Sequence, residues 1–269
     1  SLDTLTDIMK TLRRPNGCPW DREQTPETII PFIIEEAYEV IDAIETGTPK
    51  EQVEELGDLL FQVIFVSELA SEKNLFNISD VIESSIQKMT RRHPHVFEKN
   101  TTLTSKEVIA NWGHIKEREK TESNSKDNDQ EDKSILSGIP ATFPALHRAH
   151  KVSQKVAKVG FDWQCIDKVF GKVYEELSEL KEAIKNKDAE NTEEEIGDVL
   201  FTLVNLARFA QVNPENALRK STNKFINRFS YIEKSLKKDK KELGNTPLEE
   251  LERLWGEAKK REKPANTNP

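Results

Sequence analysis

Two pairs of acidic residues in the second half of the chain have a spacing that suits metal chemistry. Glu176 and Glu179 form one pair, and Glu195 and Asp198 form the other. On a helix, residues three positions apart are neighbours on one face, so each pair presents two carboxylates together. Two such faces opposite each other would enclose four carboxylates. The spacing therefore predicts a cage of acids between two helices.

The same pattern occurs 140 residues earlier, where Glu36 and Glu39 are followed by Glu55 and Asp58. With 48 acidic residues in the chain, a single pair would mean little, because most such pairs lie on solvated helix faces. Here, however, both pairs recur in register beside apolar runs that turn their helices inward. The recurrence favours a functional site over acidic residues that merely lie on a solvated surface.

Four carboxylates inside a helical bundle repel one another, and burying them unpaired is costly. Protonation relieves that repulsion, and so does binding of divalent cations. A donor set of oxygens alone favours Mg²⁺, with Mn²⁺ as a substitute, and the lack of a Glu-x-x-His pattern disfavours a di-iron centre. Because Mg²⁺ bound by carboxylates commonly also binds substrate phosphates, the acids point to phosphate chemistry.

Cationic and aromatic residues that could hold a polyphosphate follow each acid set. Lys224 and Arg228 share a helix face, as do Trp255 and Lys259. Lysine neutralises phosphate as a point charge, arginine grips it bidentately, and tryptophan offers a flat ring. The first half carries the matching residues Lys88, Arg92, Trp112 and Lys116.

Apolar spacing and capping residues predict the helices that position these side chains. Thr25-Pro26 and Asn213-Pro214 are typical helix starts, and Thr48 with Glu51 has the spacing of a capping box, as does Thr246 with Glu249. The predicted helices run from Leu2 to Arg14, Thr25 to Gly47, Thr48 to Lys73, Ser79 to Arg92, Ser105 to Lys120, Pro144 to Lys158, Ile166 to Asn186, Glu193 to Gln211, Asn213 to Lys241, and onward from Thr246.

The order of elements repeats, which predicts one ancestral helical-bundle domain present twice in an all-α protein. We assign residues 1–120 to the first copy and 138–269 to the second. Between them, residues 121–137 are predicted to be a disordered acidic linker, since 121–133 contain no apolar residue.

Composition limits the protein's surroundings and partners. Charged residues make up 33% of the chain, and only ten residues are glycine, which suits a helical protein. A net charge of −8 argues against nucleic acid or an anionic membrane as a partner. We find no apolar run long enough for a membrane helix and no signal peptide, so we expect a cytoplasmic protein in which Cys18 and Cys165 are free thiols.

Taken together, these motifs resemble those of the MazG family of tandem-domain, all-α nucleoside triphosphate pyrophosphohydrolases. The resemblance covers nearly the whole chain and includes EExxE…ExxD in each half, Arg91-Arg92-His93-Pro94-His95-Val96-Phe97 and Val159-Gly160-Phe161-Asp162-Trp163. It implies Mg²⁺-dependent hydrolysis of nucleoside triphosphates, ATP among them, to monophosphate and pyrophosphate, with broad base tolerance. It also implies a homodimer whose helices pack across the subunits.

The resemblance assigns roles to individual residues of the second copy. The Mg²⁺ ligands would be Glu176, Glu179, Glu195 and Asp198. The nucleotide would be surrounded by Lys172, Glu175, Glu194, Lys224, Arg228, Trp255 and Lys259. A glutamate that does not bind metal would orient or deprotonate the attacking water, and both Glu175 and Glu194 stay open for that catalytic role.

In this family the C-terminal copy is the one usually credited with activity. One difference between the copies offers a partial reason: Phe32 stands where the second copy has Lys172. The first copy could be weakly active, regulatory or purely dimerising. For the whole protein, a dedicated dNTP or dUTP hydrolase and a non-catalytic nucleotide-binding scaffold are the alternatives.

Overall fold

The computed structural model of the chain describes residues 1–98, 102–108, 111–113, 115, 119 and 134–262. Every regular element within these residues is helical, which confirms the all-α prediction. The chain divides into two compact units, Ser1–Asn128 and Asp129–Pro269. That boundary falls within the predicted linker, of which only residues 134–137 belong to the described part. Among the described helices, none has both the length and the apolar content needed to cross a bilayer.

The helices of the first unit are α1 (Leu2–Arg13), α2 (Pro19–Glu23), α3 (Pro26–Thr46), α4 (Pro49–Glu72), α5 (Ile78–Arg92) and α6 (Pro94–Phe97). Residues 105–108, 111–113, 115 and 119 are also helical and fall in the helix predicted from Ser105 to Lys120. The helices of the second unit are α7 (Ala145–Ala157), α8 (Ile166–Asn186), α9 (Ala189–Phe209), α10 (Pro214–Lys238) and α11 (Leu248–Glu262), with a 3₁₀ turn at Leu243–Asn245.

Helices α3 and α4 form a hairpin because the short connection between them both ends one helix and starts the next. Thr48 and Glu51 make the predicted capping box: the Thr48 hydroxyl accepts from the Glu51 amide at 3.3 Å, and the Glu51 carboxylate accepts from the Thr48 amide at 2.6 Å. A side chain at Gly47 would bring its Cβ to 2.8 Å from the Ala43 carbonyl oxygen. Only glycine therefore fits this close turn.

Helices α8 and α9 form the equivalent hairpin in the second unit. Lys187 adopts a left-handed conformation (φ 56°) that ends α8, and the Asp188 carboxylate then accepts from the Asn191 amide at 3.1 Å to cap α9. Because of this cap, α9 begins at Ala189 and not at the predicted Glu193. The prediction missed the first turn because that turn is polar and carries no apolar periodicity.

Two short helices and one helix end also differ from the predictions. Helices α2 and α6 lie between the predicted helices, and each begins with a proline at its first position, where the fixed φ angle suits a helix. Helix α10 ends at Lys238, earlier than the predicted Lys241. Such short or frayed turns are too brief for an apolar repeat to reveal.

Buried apolar side chains form a core in each unit. In the first unit, α1 packs against α4, and the buried cluster is Met9, Ile29, Ile64, Phe65 and Leu69. In the second unit, α7 packs against α9, and α10 packs against α11 around Ile232, Leu236 and Leu254. Val169 and Val173 of α8 are buried on the same helix that carries Glu176.

Phe65 is only 2% exposed and belongs to the buried cluster of the first unit, so a substitution there measures how much this core stabilises the fold. Replacing it with alanine should lower the free energy of unfolding by about 3–5 kcal/mol, since the substitution leaves a cavity. Urea denaturation followed by circular dichroism measures the change. The control, Leu75→Ala, removes a side chain that is 70% exposed and should cost less than about 0.5 kcal/mol. Equal losses in the two variants would contradict the assigned core.

Candidate functional site

The acids of the second unit meet where α8 packs against α9. Glu176 and Glu179 come from α8 and Glu195 from α9, and one carboxylate oxygen of each lies within 4.8 Å of the others. We call these three residues the second acid cluster. Glu176 is buried, Glu195 is half-buried and Glu179 is exposed. Asp198, the fourth predicted ligand, is exposed on α9 and lies outside the group.

The first unit has an equivalent group where α3 packs against α4. Here Glu36, Glu55 and Asp58 bring oxygens within 4.8 Å of one another, and Glu39 is the predicted ligand left outside. We call these three residues the first acid cluster. Two positions are shared between the clusters, since Glu36 and Glu55 correspond to Glu176 and Glu195. The third acid differs, coming from α4 in the first unit and from α8 in the second.

Burial and mutual repulsion make the second acid cluster electrostatically strained. The pKa of Glu195 is raised by burial first, and then by the nearby charges of Glu176, Asp198 and Glu194. Burial also raises the pKa of Glu179, assisted by its hydrogen bond with Glu176. Within the described residues, Glu195 Oε2 is shielded from solvent and has no hydrogen-bond partner. A buried carboxylate oxygen without a partner calls for a further ligand, such as a cation or a water.

Lys172 compensates part of this negative charge. Its Nζ lies 2.7 Å from Glu175 Oε1 and 2.8 Å from Oε1 of the buried Glu176, and these glutamates follow it by three and four residues on the same helix. The hydrogen bonds to Glu175 and Glu176 raise the pKa of Lys172. The lysine therefore stays charged and serves as an internal counter-ion for Glu176.

The first acid cluster lacks this counter-ion. Phe32 occupies the position of Lys172 and packs edge-to-face against Trp20, with ring centroids 5.7 Å apart. Glu36 instead accepts a hydrogen bond from Gln62 Nε2 at 3.4 Å. Burial, followed by the charge of Asp58, raises the pKa of Glu36. The two clusters thus have similar acids but different neutralising partners.

The donor sets fit a hard divalent cation. All donors are carboxylate oxygens from two packed helices, and no histidine or cysteine belongs to either group. Two oxygens bound to the same Mg²⁺ at about 2.1 Å can be no more than about 4.2 Å apart. Oxygens already within 4.8 Å of one another would reach that spacing through small side-chain rotations.

The predicted cations of the second unit lie between α10 and α11. The Arg228 guanidinium donates from Nε and Nη2 to Glu262 Oε2, at 2.9 and 2.7 Å, and lies 5.4 Å from the centre of the Trp255 ring. Trp255 also packs against Phe225, with ring centroids 4.9 Å apart. Lys224 and Lys259 are exposed on the same two helices. These residues form a cationic and aromatic group around Arg228.

The first unit repeats this arrangement. Arg92 Nη2 lies 2.6 Å from Glu119 Oε2, Arg91 Nη2 lies 2.7 Å from Glu119 Oε1, and Trp112 Nε1 donates to the Arg92 carbonyl at 2.9 Å. Lys88 is half-buried on α5, and Lys116 lies outside the described residues. Sequence reasoning missed Glu119 and Glu262, although the 143-residue offset that pairs Trp112 with Trp255 also pairs these two glutamates.

The acids and the cations of the second unit form separate groups on different helix pairs. Among the residues that the structure describes, no hydrogen bond or ion pair joins the second acid cluster to Lys224, Arg228, Trp255 or Lys259. Glu175 and Glu194, the two candidate bases, are both exposed on the hairpin that carries the acids. The hairpin thus carries the acids, Lys172 and both candidate bases, and the α10–α11 pair carries the remaining cations.

Comparison with known proteins relates both halves of the chain to one family. The model of the MazG nucleotide pyrophosphohydrolase domain matches residues 24–97 and 166–232, which contain both acid clusters. The nucleoside triphosphate pyrophosphohydrolase/pyrophosphatase MazG of Thermotoga maritima is 43% identical over 96% of this chain and 95% of its own length. The nucleoside triphosphate pyrophosphohydrolase of Escherichia coli is 41% identical over 97% of this chain and 98% of its own length. The uncharacterized protein YabN of Bacillus subtilis is 42% identical over 97% of this chain and 52% of its own length.

The repulsion in the second acid cluster predicts how Glu195→Gln affects the metal-free protein. Because the fold raises the pKa of Glu195, the native state binds its proton more tightly than the unfolded chain does. The stability that protonated Glu195 contributes is present at low pH. It is lost as the pH rises above 4.5, the ordinary pKa of a glutamate, and through the raised pKa of Glu195. Removing the charge should therefore raise the Tm at mildly alkaline pH in the presence of EDTA.

Thermal scans at several pH values measure this effect. The control, Glu193→Gln, removes an exposed carboxylate from the same helix outside the cluster and should leave the Tm unchanged. A lower Tm for Glu195→Gln in EDTA would show that the carboxylate stabilises the metal-free fold, contrary to the assigned repulsion.

Proposed function

The chain belongs to the MazG nucleotide pyrophosphohydrolase family, and on this premise we propose that it hydrolyses nucleoside triphosphates to monophosphates and pyrophosphate in a Mg²⁺-dependent reaction. The observation that carries the proposal is the second acid cluster, in which Glu195 Oε2 is buried without a hydrogen-bond partner beside Glu176 and Glu179. Carboxylates in this arrangement suit a cation that also binds phosphate oxygens.

Glu176, Glu179 and Glu195 would hold Mg²⁺ or its substitute Mn²⁺, and Asp198 would join them through a side-chain rotation or a bridging water. When bound, the ion supplies Lewis-acid activation of water and of the phosphate. Water attacks a phosphorus and displaces the pyrophosphate, or the monophosphate, as the leaving group. The attacking water loses its proton to a carboxylate that does not bind metal.

Two glutamates are candidates for that base. Glu175 is exposed and accepts a hydrogen bond from Lys172, while Glu194 is exposed next to the ligand Glu195. Either carboxylate can take a proton from a water held by its neighbours. Both assignments stand until the single variants are compared.

The remaining residues would bind the nucleotide. Arg228 can grip phosphate oxygens with its fork of N–H donors, while Lys172, Lys224 and Lys259 add positive charge. Trp255, whose ring lies beside Arg228 and Phe225, would stack on the base. Because stacking is much the same for every base, such a contact would favour broad base tolerance over a dedicated dNTP or dUTP hydrolase. Competition between mixed nucleotides separates the two.

The two copies would differ in activity. Lys172 lies beside the second acid cluster and could contact a phosphate, whereas the first acid cluster has Phe32 at that position. The first acid cluster still has three carboxylates within 4.8 Å of one another and would bind metal, with Glu39 as a fourth ligand. We therefore assign the main activity to the second copy.

We further propose that the chain works as a homodimer. Exposed apolar side chains recur at equivalent positions on the two acid-bearing hairpins, which is unusual for a surface that stays in water. The equivalent pairs are Ile30 and Phe170, Ile34 and Tyr174, Ile44 and Ile184, Leu56 and Ile196, and Leu60 and Leu200. A second copy of the chain would cover these faces. We also propose a cytoplasmic location, because Cys18 and Cys165 are free thiols, as is usual in a reducing compartment.

The activity is tested by incubating the protein with mixed nucleoside triphosphates and Mg²⁺ and assaying pyrophosphate separately from orthophosphate. We expect pyrophosphate and monophosphate, with no release in EDTA and recovery with Mn²⁺. Glu176→Gln should lower the rate by about 100-fold or more, because it removes the buried ligand of the second acid cluster.

The matched variant in the other unit is Glu36→Gln, which should keep most of the rate. Absence of pyrophosphate release from the wild-type protein would favour a nucleotide-binding scaffold, and orthophosphate alone would indicate cleavage of the terminal phosphate. Equal losses in the two variants would mean that both copies are active.

The dimer is tested by Leu200→Lys, which places a charge on the exposed apolar face of α9. Light scattering coupled to size exclusion should then give the mass of one chain, 30.9 kDa, in place of two. Leu248→Lys, on α11 outside this face, alters a residue that is 69% exposed and should leave the dimer intact. A Leu200→Lys protein that stays dimeric would exclude this face as the interface.

A further inference from the structure

The guanidinium of Arg228 already has an anionic partner in the nucleotide-free protein. Two of its N–H groups donate to Glu262 Oε2, at 2.9 Å from Nε and 2.7 Å from Nη2. The arginine side chain is only 14% exposed and that of Glu262 is 35% exposed, so water weakens this pair less than it weakens a fully exposed one. The edge of Arg228 that would grip a phosphate is thus occupied by a carboxylate.

The position of Glu262 is unfavourable for the helix that carries it. It lies two residues before Pro264, and because a helix usually ends at or before the residue that precedes a proline, Glu262 is near the negative end of the helix dipole, which repels a carboxylate. The helix dipole therefore does not favour an acid there. The contact that offsets this disadvantage is the ion pair with Arg228 on α10.

The same ion pair is present in the first unit. Arg92 is the equivalent of Arg228, and its Nη2 lies 2.6 Å from Glu119, the equivalent of Glu262. The arginines hold the pKa of Glu119 down to about 2, chiefly through the hydrogen bond from Arg92. The duplicated units have diverged at Lys172 and Phe32, yet both retain a glutamate on this arginine.

We propose that Glu262 is a resident counter-anion, which occupies Arg228 in place of a phosphate and must leave before the triphosphate of the substrate can bind there. This inference rests on the proposed function, because it takes Arg228 to be a phosphate-binding residue. Carboxylate and phosphate oxygens compete for the same N–H donors. The apparent affinity for nucleotide is then reduced by the fraction of molecules in which Glu262 holds Arg228.

The first unit holds its arginine more firmly. Arg91 adds a second guanidinium to Glu119, whereas the equivalent position in the second unit is Asn227. Glu119 is also more enclosed than Glu262, at 15% against 35% exposure. A triphosphate therefore displaces the counter-anion more easily in the second unit. This difference adds to that between Lys172 and Phe32.

The test is Glu262→Gln, which keeps the size and hydrogen-bonding shape of the side chain but removes its charge. We expect the KM for ATP to fall by about three- to tenfold, because the competing ion pair is weakened. The kcat should stay unchanged, since Glu262 acts only on binding. The Kd for the non-hydrolysable analogue α,β-methylene-ATP, measured by calorimetry with Mg²⁺, should fall by the same factor.

Glu250→Gln is the matched control, because Glu250 lies on the same helix and forms its own ion pair with Lys241 at 2.7 Å. It should leave both constants unchanged. An unchanged or higher KM and Kd in Glu262→Gln would overturn the proposal and make Glu262 a residue that merely orients Arg228. Equal decreases in the Glu250→Gln control would also overturn it, since the effect would then be one of net charge.

Failure of the proposed function gives a different result. A wild-type protein that releases no pyrophosphate would refute the hydrolase, while binding of α,β-methylene-ATP to the wild type and to Glu262→Gln would still measure the competition at Arg228. A wild type that releases pyrophosphate, together with constants that Glu262→Gln does not lower, would refute the counter-anion alone.

Discussion

Three carboxylates within 4.8 Å of one another where two helices pack impose a charge balance on each unit. Their repulsion opposes the packing of the hairpin, and the buried apolar side chains behind them, such as Val169 and Val173, must outweigh it. Lys172 reduces the repulsion at Glu176, but Glu195 Oε2 keeps no hydrogen-bond partner among the described residues. The fold thus holds the acids in an arrangement that a divalent cation would stabilise.

Resident partners occupy the charged side chains that a nucleotide would use. Lys172 pairs with Glu175 and Glu176, and Arg228 pairs with Glu262. Each pair avoids an unpaired charge in a partly buried position. Binding of a triphosphate at Lys172 and Arg228 would then be an exchange of ionic partners, because each contact formed there would replace one that is already present. Affinity in such a site depends on the contacts that are lost as well as on those that are gained.

Duplication followed by divergence explains how one fold can carry two unequal sites. The hairpins keep the half-buried Glu36 and its buried equivalent Glu176 as well as the repeated apolar faces, so both copies retain the same framework. The differences lie in the residues around the charged groups. Phe32 stands where the second copy has Lys172, and Arg91 stands where the second copy has Asn227. Phe32 packs against the first core, whereas Arg91 is mostly exposed and pairs with Glu119.

The sequence by itself determined the helical class, the duplication, the residue sets and most helix boundaries, because these depend on local patterns. Capping at Thr48 and Asn213 and the i, i+3 spacing of the acids are readable without knowledge of any distant contact. The polar first turn of α9 and the short helices α2 and α6 were missed, since they carry no apolar period.

Only the tertiary structure decided which acids meet. Spacing places Glu195 and Asp198 on one helix face, but in the packed hairpin Glu195 joins the cluster and Asp198 lies outside it. In the first unit both Glu55 and Asp58 of α4 join the cluster, and Glu39 of α3 lies outside it. The pairing of Arg228 with Glu262 likewise depends on how α10 packs against α11. Helix periodicity determines which side chains share a face of one helix. Which side chains meet between two helices depends on how those helices pack against each other, and the buried cores determine that packing.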